Sequence, residues 1–183
     1  MKSDEQLVAC YRDSGQRGAL DELTKRHLGR VRAMIYPMVL DGTLADDLTQ
    51  EVFLRAFRGL ARFNGRSQFS TWLYRVAMNT ANGFLGRQRR SPIDFRVKLP
   101  DDCASRGREP ESRAMDIELQ AAIEAALSDL PPKLRTAIVL VTLDHVDVAE
   151  AARIEGCTRP TMYWRLYEAR KRLKRRLKSH LTP

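Results

Sequence analysis

The chain has no run of about 18 uncharged apolar residues, so neither a transmembrane helix nor any membrane insertion is expected. Its opening stretch, MKSDEQLVACYRD, carries charge where a signal peptide needs an apolar centre, and this predicts a cytoplasmic protein. Cysteine is sparse: Cys10, Cys103 and Cys157 stand far apart, with no C-x-x-C pair and no histidine at ligand spacing. That distribution gives no support to a zinc or redox site and leaves a structural or incidental role. Equally absent are a P-loop, a glycine-rich dinucleotide turn, an H-E-x-x-H pair and a nucleophile elbow, so no enzyme, catalytic residue, metal or cofactor is expected. His27 lies among apolar residues with no nucleophile or second histidine near it, and is assigned to packing.

What the chain does have is positive charge, distributed in blocks. Its 183 residues carry a net charge of +9 and a pI near 9.9, which points to a polyanionic partner. Residues 53–98 hold ten Lys or Arg against one Asp, and residues 160–183 hold eight against one Glu. By contrast, residues 41–52 hold four acids and no base, and residues 99–130 hold eight acids against three Arg. Two basic surfaces separated by an acidic stretch are expected.

The apolar spacing is helical. Leu7, Cys10 and Tyr11, then Leu20, Leu23, His27, Val31, Met34 and Ile35, recur at three- and four-residue steps around a break at Gly15 to Gly18, and Pro37 kinks or ends the second helix. Asp41 and Gly42 make a turn. A third helix from about Ala45 directs Leu48, Val52, Ala56 and Leu60 to a core. Its opposite stripe, Asp47, Gln50, Glu51 and Leu54, is either a solvated acidic face or a partner surface, and spacing alone does not choose between them.

Phe63 to Phe69 has the Gly, Asn and Ser content of a loop. Flanked by two Phe and carrying Arg66, it could hold an extruded base through ring stacking, edge contacts and phosphate neutralisation; the same two rings could instead anchor the loop to the core. Ser70 or Thr71 is expected to cap the next long helix, with Leu73, Val76, Ala77, Thr80 and Phe84 inward and Arg75, Asn79, Asn82 and Arg89 on an outward stripe. Such a stripe is often just solvated. Asn nevertheless suits base edges, Arg suits phosphate, and two Asn in mid-helix run against helix propensity unless kept for contacts.

Residues 91–112, with Pro92, Pro100 and Pro110 and no sustained period, read as a flexible linker between a first domain (1–90) and a second (113–183). The second domain begins near Met115 with Ile117, Leu119, Ala122, Ile123, Ala126, Leu127 and Leu130, and continues after Pro131 and Pro132 with Leu134, Ile138, Val141 and Leu143. From Asp147 a helix-turn-helix is expected: Asp147 as N-cap with Glu150 in a variant capping box, Gly156 at the turn, Thr158 capping the last helix and Pro160 in its first turn. Met162, Leu166, Ala169, Leu173 and Leu177 form an inward seam, leaving Arg159, Thr161, Tyr163, Trp164, Tyr167, Arg170 and Lys171 on a basic, aromatic face suited to a major groove.

The runs D-L-T-Q-E-V-F-L and F-x-G-x-S-x-F-x-T-W-L-Y-R-V-A-x-N resemble the promoter-opening domain of extracytoplasmic function (ECF) sigma factors, small initiation subunits of bacterial RNA polymerase. The run from Leu130 to Lys174 resembles that family's second domain, which usually reads L-P-x-x-x-R, S-x-x-E-I-A, G, T-V, R-L and A-R-x-x-L. Here Asp147 replaces the usual Ser, Ala151 the usual Ile, and Glu168 stands where a basic residue is common, so no specific promoter sequence is carried over.

The resemblance implies an all-α protein of two small helical domains, the second a helix-turn-helix (winged-helix-like) domain, that binds core RNA polymerase and promoter DNA. It implies core contact through Asp46, Asp47, Gln50, Glu51 and Leu54. Minus-ten DNA falls to Phe63, Asn64, Gly65, Arg66, Ser67, Phe69, Trp72, Arg75, Asn79, Asn82 and Arg89. Minus-thirty-five DNA falls to Thr158, Arg159, Pro160, Thr161, Tyr163, Trp164, Tyr167, Arg170 and Lys171. An anti-sigma factor is a further partner that the family implies, and a regulon responding to stress or a signal is a further expectation. The alternative is a stand-alone helix-turn-helix regulator, which would bind duplex DNA tightly without polymerase.

Overall fold

The computed structural model describes residues 2–90 and 110–178. Helix ends explain how the first half is divided. Helix α1, Asp4–Ser14, begins in a capping box: the Ser3 hydroxyl accepts from the Gln6 amide while the Gln6 side chain accepts from the Ser3 amide. It stops at Gly15, whose φ of 66° is the left-handed conformation glycine adopts without a Cβ clash. Helix α2, Arg17–Val39, already contains Gly18, so the break is shorter than expected; Pro37 sits in its last turn. Helix α3, Gly42–Gly59, starts three residues earlier than the spacing predicts because the Asp41 carboxylate accepts from the Leu44 amide at 2.8 Å. A single 3-10 turn, Leu60–Arg62, leads to the loop and to helix α4, Phe69–Arg90.

The N-terminus of α4 corrects one expectation. Ser70 and Thr71 lie inside the helix, and the Phe69 amide donates instead to Oε1 of Glu5 in α1 at 3.2 Å. A carboxylate at this end also complements the helix dipole. Helix α1 is clamped to α2 by Asp4, which takes Arg26 at 2.9 Å and His27 at 2.6 Å. His27 is buried, edge-on to Phe69 and Tyr74, so its packing role includes an ion-pair or hydrogen-bond partner.

The second half comprises α5 (Pro110–Ser128), α6 (Pro132–Ile138), a π-helical turn (Val139–Leu143), α7 (Val148–Glu155) and α8 (Arg159–Arg176). Helix α5 thus begins within the stretch expected to be linker, five residues ahead of Met115; residues 91–109, including Cys103, lie outside the described residues. Glu155 joins three helices: its nearly buried carboxylate accepts from Lys133 of α6 and Arg165 of α8, both at 2.9 Å. Two cations on one buried carboxylate offset the desolvation that a lone charge would suffer.

The protein is all-α, and its two helical groups, α1–α4 and α5–α8, pack against each other. Helices α6 and α7 lie on α4, while α5 and the π turn lie on α2, and the buried apolar residues form one continuous cluster. Among the described residues no helix is long and apolar enough to cross a membrane.

Candidate nucleic-acid interface

Helix α3 separates its two faces cleanly. Leu48, Val52, Ala56 and Leu60 are buried, whereas Asp46, Asp47, Gln50 and Leu54 are exposed and Glu51 is half-buried. Leu54, 51% exposed, gives the acidic strip an apolar end. Arg32 holds Asp46 at 2.6 Å and Arg55 holds Glu51 at 2.6 Å, and these hydrogen bonds are the main cause that keeps both carboxyls below the usual carboxylate range.

The loop after the 3-10 turn favours the anchoring alternative for its two phenylalanines. Phe63 and Phe69 are buried, pack edge-to-face with centroids 6.0 Å apart, and both meet Trp72, at 5.3 and 5.8 Å. Rings so enclosed anchor the loop and have no free face for a base. Trp72, half-buried, lies over Gly59, where a Cβ would approach its ring to 3.4 Å. Above this aromatic floor Asn64, Gly65, Arg66, Ser67 and Gln68 are exposed. The Asn64 side chain accepts from the Arg66 amide at 3.2 Å, and Gly65 takes a φ of 70°, so the exposed tip is a defined turn. Arg12 adds a bond to the Phe63 carbonyl at 3.3 Å.

Helix α4 has three faces where two were expected. Leu73, Ala77 and Thr80 are buried against the first group as predicted, with Val76 and Phe84 only half-buried. Thr71, Arg75, Met78 and Asn82, at four-, three- and four-residue steps, form a second face directed at the other helical group. There the Thr71 hydroxyl donates to Glu150 at 2.7 Å, Arg75 donates to the carbonyls of Ile154 at 3.2 Å and of Arg153, and Asn82 exchanges contacts with the Thr136 hydroxyl at 3.2 and 3.4 Å. The outward assignment thus holds for Asn79 and Arg89, which are exposed, and for Arg75, which is exposed although its guanidinium also meets the Ile154 and Arg153 carbonyls; it is corrected for Asn82, half-buried against Thr136.

The helix-turn-helix forms as its local signals require. The Asp147 carboxylate accepts from the Ala149 amide at 2.8 Å, Gly156 turns at φ 62°, and Thr158 accepts from the Thr161 amide at 3.3 Å. The expected capping box does not close, because Glu150 reaches Thr71 instead. Met162, Leu166 and Ala169 are buried and Leu173 and Leu177 are half-buried, as the seam predicts. Arg159, Pro160, Arg170 and Lys171 are exposed and Thr161 is half-buried, while Tyr163, Trp164 and Tyr167 are 60%, 61% and 66% exposed. Three large rings left this bare on one helix face mark a contact surface. Tyr163 and Tyr167 also wall an open groove of about 730 Å³ with Val141 and Val148, rimmed by Arg170, Lys171 and Lys174.

Polar groups, Arg135 buried and Arg30 exposed, join the two helical groups, and sequence reading missed them. Arg135, 5% exposed, donates to the Met38 carbonyl at the end of α2 at 2.5 Å and to the Ser128 carbonyl at 2.6 Å. Burial, with Arg89 nearby, pulls its pKa down to about 10, still charged at neutral pH. Arg30 lies over the Tyr74 ring at 5.2 Å and donates to the Asp144 carbonyl at 3.1 Å; burial pushes the Asp144 carboxyl up. One clue was available: Arg135 is the Arg of the L-P-x-x-x-R run, but its partner is 97 residues away.

Residues 23–91 match the family model for sigma-70 region 2, and residues 120–173 match that for sigma-70 region 4. The chain is similar to the RNA polymerase sigma-H factor of Pseudomonas aeruginosa, 33% identical with 96% of this chain and 94% of the relative covered. It is also similar to the ECF RNA polymerase sigma-E factor of Escherichia coli K12, 32% identical with 91% and 90% covered. Among solved structures, the sigma factor RpoE in complex with the anti-sigma factor NepR from Bartonella quintana is 25% identical with a TM-score of 0.67, covering 86% of this chain and 96% of that one. CnrH in complex with the cytosolic domain of CnrY is alike in fold, at 24% identity, a TM-score of 0.70, and 97% and 99% covered.

Proposed function

Since the chain belongs to the ECF group of RNA polymerase sigma factors, we propose how its surface is divided between polymerase and promoter. As a sigma factor it directs RNA polymerase to promoters for initiation. Residues 1–90 form the polymerase-binding and minus-ten domain, and residues from 113 onward form the minus-thirty-five domain. Asp46, Asp47, Gln50, Glu51 and Leu54 contact core polymerase. The loop tip from Asn64 to Ser67, with Trp72, Arg75, Asn79, Asn82 and Arg89, takes the minus-ten strand; Phe63 and Phe69 support that loop from beneath. The face from Thr158 to Lys171 reads the upstream duplex, its exposed rings and arginines facing the groove. RNA synthesis itself belongs to the polymerase, and the sigma factor contributes no reaction. An anti-sigma factor, the kind of partner that the Bartonella protein binds, restrains this chain until a stress or other signal calls for its regulon.

The observation that carries this division is the occurrence in one chain of an exposed acidic strip ending in an exposed leucine and a separate exposed basic, aromatic helix face. Run-off transcription with bacterial core polymerase, on fragmented DNA from the source genome, tests it: discrete transcripts that require the protein are expected, and their start sites define the promoter. Core binding without transcripts would detach the promoter assignments from the polymerase assignment. Asn79, on the bare side of α4, supplies the residue-level test. Asn79→Ala is expected to leave recruitment intact and reduce strand opening, and permanganate reactivity equal to wild type would remove Asn79 from the minus-ten face.

A further inference from the structure

Two contacts hold the loop between Phe63 and Phe69 from outside, and both come from α1. The Phe69 amide, one of the first-turn donors that no helix carbonyl receives, meets Oε1 of Glu5 at 3.2 Å. At the other end of the loop the Phe63 carbonyl accepts from Nη1 of Arg12 at 3.3 Å. Glu5 and Arg12 stand two turns apart on one face of α1, and Val8 between them is buried. The two ends of the loop enter the core side by side, with the Phe63 and Phe69 rings 6.0 Å apart, so a single helix face spans both. Helix α1 is itself fixed. Its capping box sets the first turn, and Arg26 of α2 donates to the Lys2 carbonyl and to Asp4, both at 2.9 Å. His27, the second partner of Asp4, packs edge-on to Phe69 with centroids 5.6 Å apart.

We infer that Glu5 and Arg12 are positioning residues for promoter opening: α1 braces the neck of the loop, so that its tip meets the separated minus-ten strand in one conformation. This rests on the minus-ten assignment proposed above. Both contacts reach main-chain atoms, an amide and a carbonyl, so they fix where the loop backbone lies whatever side chains its tip carries. Between them Asn64 to Gln68 remain exposed and free to contact the strand. A loop pinned at both ends has less freedom left to lose on binding, which is the gain of preorganisation. Glu5 and Arg12 are themselves exposed, so each contact is modest alone, and their effect comes from acting on the two ends of one loop. Neither residue touches DNA; each acts through the backbone it holds.

The test uses holoenzyme assembled from the full-length protein and bacterial core polymerase, on a promoter mapped by run-off transcription. Permanganate reactivity follows the rate of strand opening, and core affinity is measured beside it. Glu5→Ala and Arg12→Ala are each expected to slow opening on the order of fivefold, the factor that matches loss of one cap-sized hydrogen bond, with core affinity unchanged. Two further variants separate the brace from a role confined to α1. Glu5→Gln keeps the length and an acceptor oxygen for the Phe69 amide but removes the charge that favours the first turn of α1; Glu5→Asp keeps the charge and is too short to reach. Near wild-type opening with Gln and slow opening with Asp are expected. The reverse pattern would overturn the brace, as would wild-type opening by Glu5→Ala and Arg12→Ala, or slow opening matched by an equal loss of core affinity. The loop-tip variant Asn64→Ala/Arg66→Ala checks the assignment beneath. Wild-type opening by it would remove the loop from the minus-ten site, whereas slow opening by it beside wild-type opening by Glu5→Ala would remove the brace alone.

Discussion

Helices α4 and α8 offer the same chemistry on their outer faces, arginines among side chains able to contact bases, yet they stand in opposite conditions. On α4, Arg75 and Asn82 are engaged by the other helical group, and the rings leading into the helix, Phe63 and Phe69, are enclosed. On α8, Tyr163, Trp164 and Tyr167 are each more than half exposed, and Arg159 and Arg170 reach solvent. The difference teaches that residue type identifies a surface as suited to nucleic acid, while packing decides whether it is ready. Aromatic rings mark both regions, but in the first they hold the scaffold and in the second they are the surface.

The sharpest way to break this contrast is to remove one ring from each side. Phe69→Ala should lower unfolding free energy by about 3 to 5 kcal/mol, because it empties a fully enclosed site. Trp164→Ala should change stability by no more than about 0.5 kcal/mol while weakening binding to an upstream promoter duplex. Denaturant unfolding measures both, and similar losses would erase the distinction. Next in size, Arg159→Ala or Arg170→Ala should weaken duplex binding by about 1 to 3 kcal/mol if the side chain reads a base, or lower the salt slope by about one if it meets phosphate. Salt titrations separate these, and an unchanged affinity and slope would take that residue off the interface.

Charge reversal at Asp47 and Glu51 extends the comparison to α3. It should lower core affinity on the order of tenfold, about 1.4 kcal/mol, with the thermal midpoint almost unmoved, because both side chains lie on the outer strip. Normal holoenzyme assembly would exclude the strip as the core contact. The smallest effect is expected at Asp144. Burial raises its pKa, so the fold favours the protonated form, and stability declines as pH climbs past that raised value. Asp144→Asn should therefore raise the midpoint at neutral pH by about 1 to 3 °C, a gain that fades as acid protonates the wild-type carboxyl. A gain that instead grew in acid would reverse the sign of this burial effect.

Local signals were legible because they act over a few residues. Asp147 and Thr158 each cap a helix within three positions, and Gly156 takes the left-handed turn that its place after α7 requires. Periodicity located the core of α3 and the seam of α8. It failed on α4, since a helix buried on two sides has no single apolar stripe, and Asn82 then counts as outward. Nor could spacing anticipate Glu5 capping α4 from 64 residues away, or the 79-residue reach of Thr71 to Glu150. The π turn at Val139–Leu143 lies in a mainly apolar run whose composition does not distinguish it from ordinary helix.

The order of the elements along the chain also has a temporal side. Helix α4 ends at Arg90, whereas the carbonyls that receive Arg75 belong to residues 153 and 154, some 64 residues later. At about 5 to 20 residues per second, the ribosome takes about 3 to 13 s to make that stretch. Throughout that interval a nascent chain carries its arginine-bearing stripe without its cover, a short distance from ribosomal RNA.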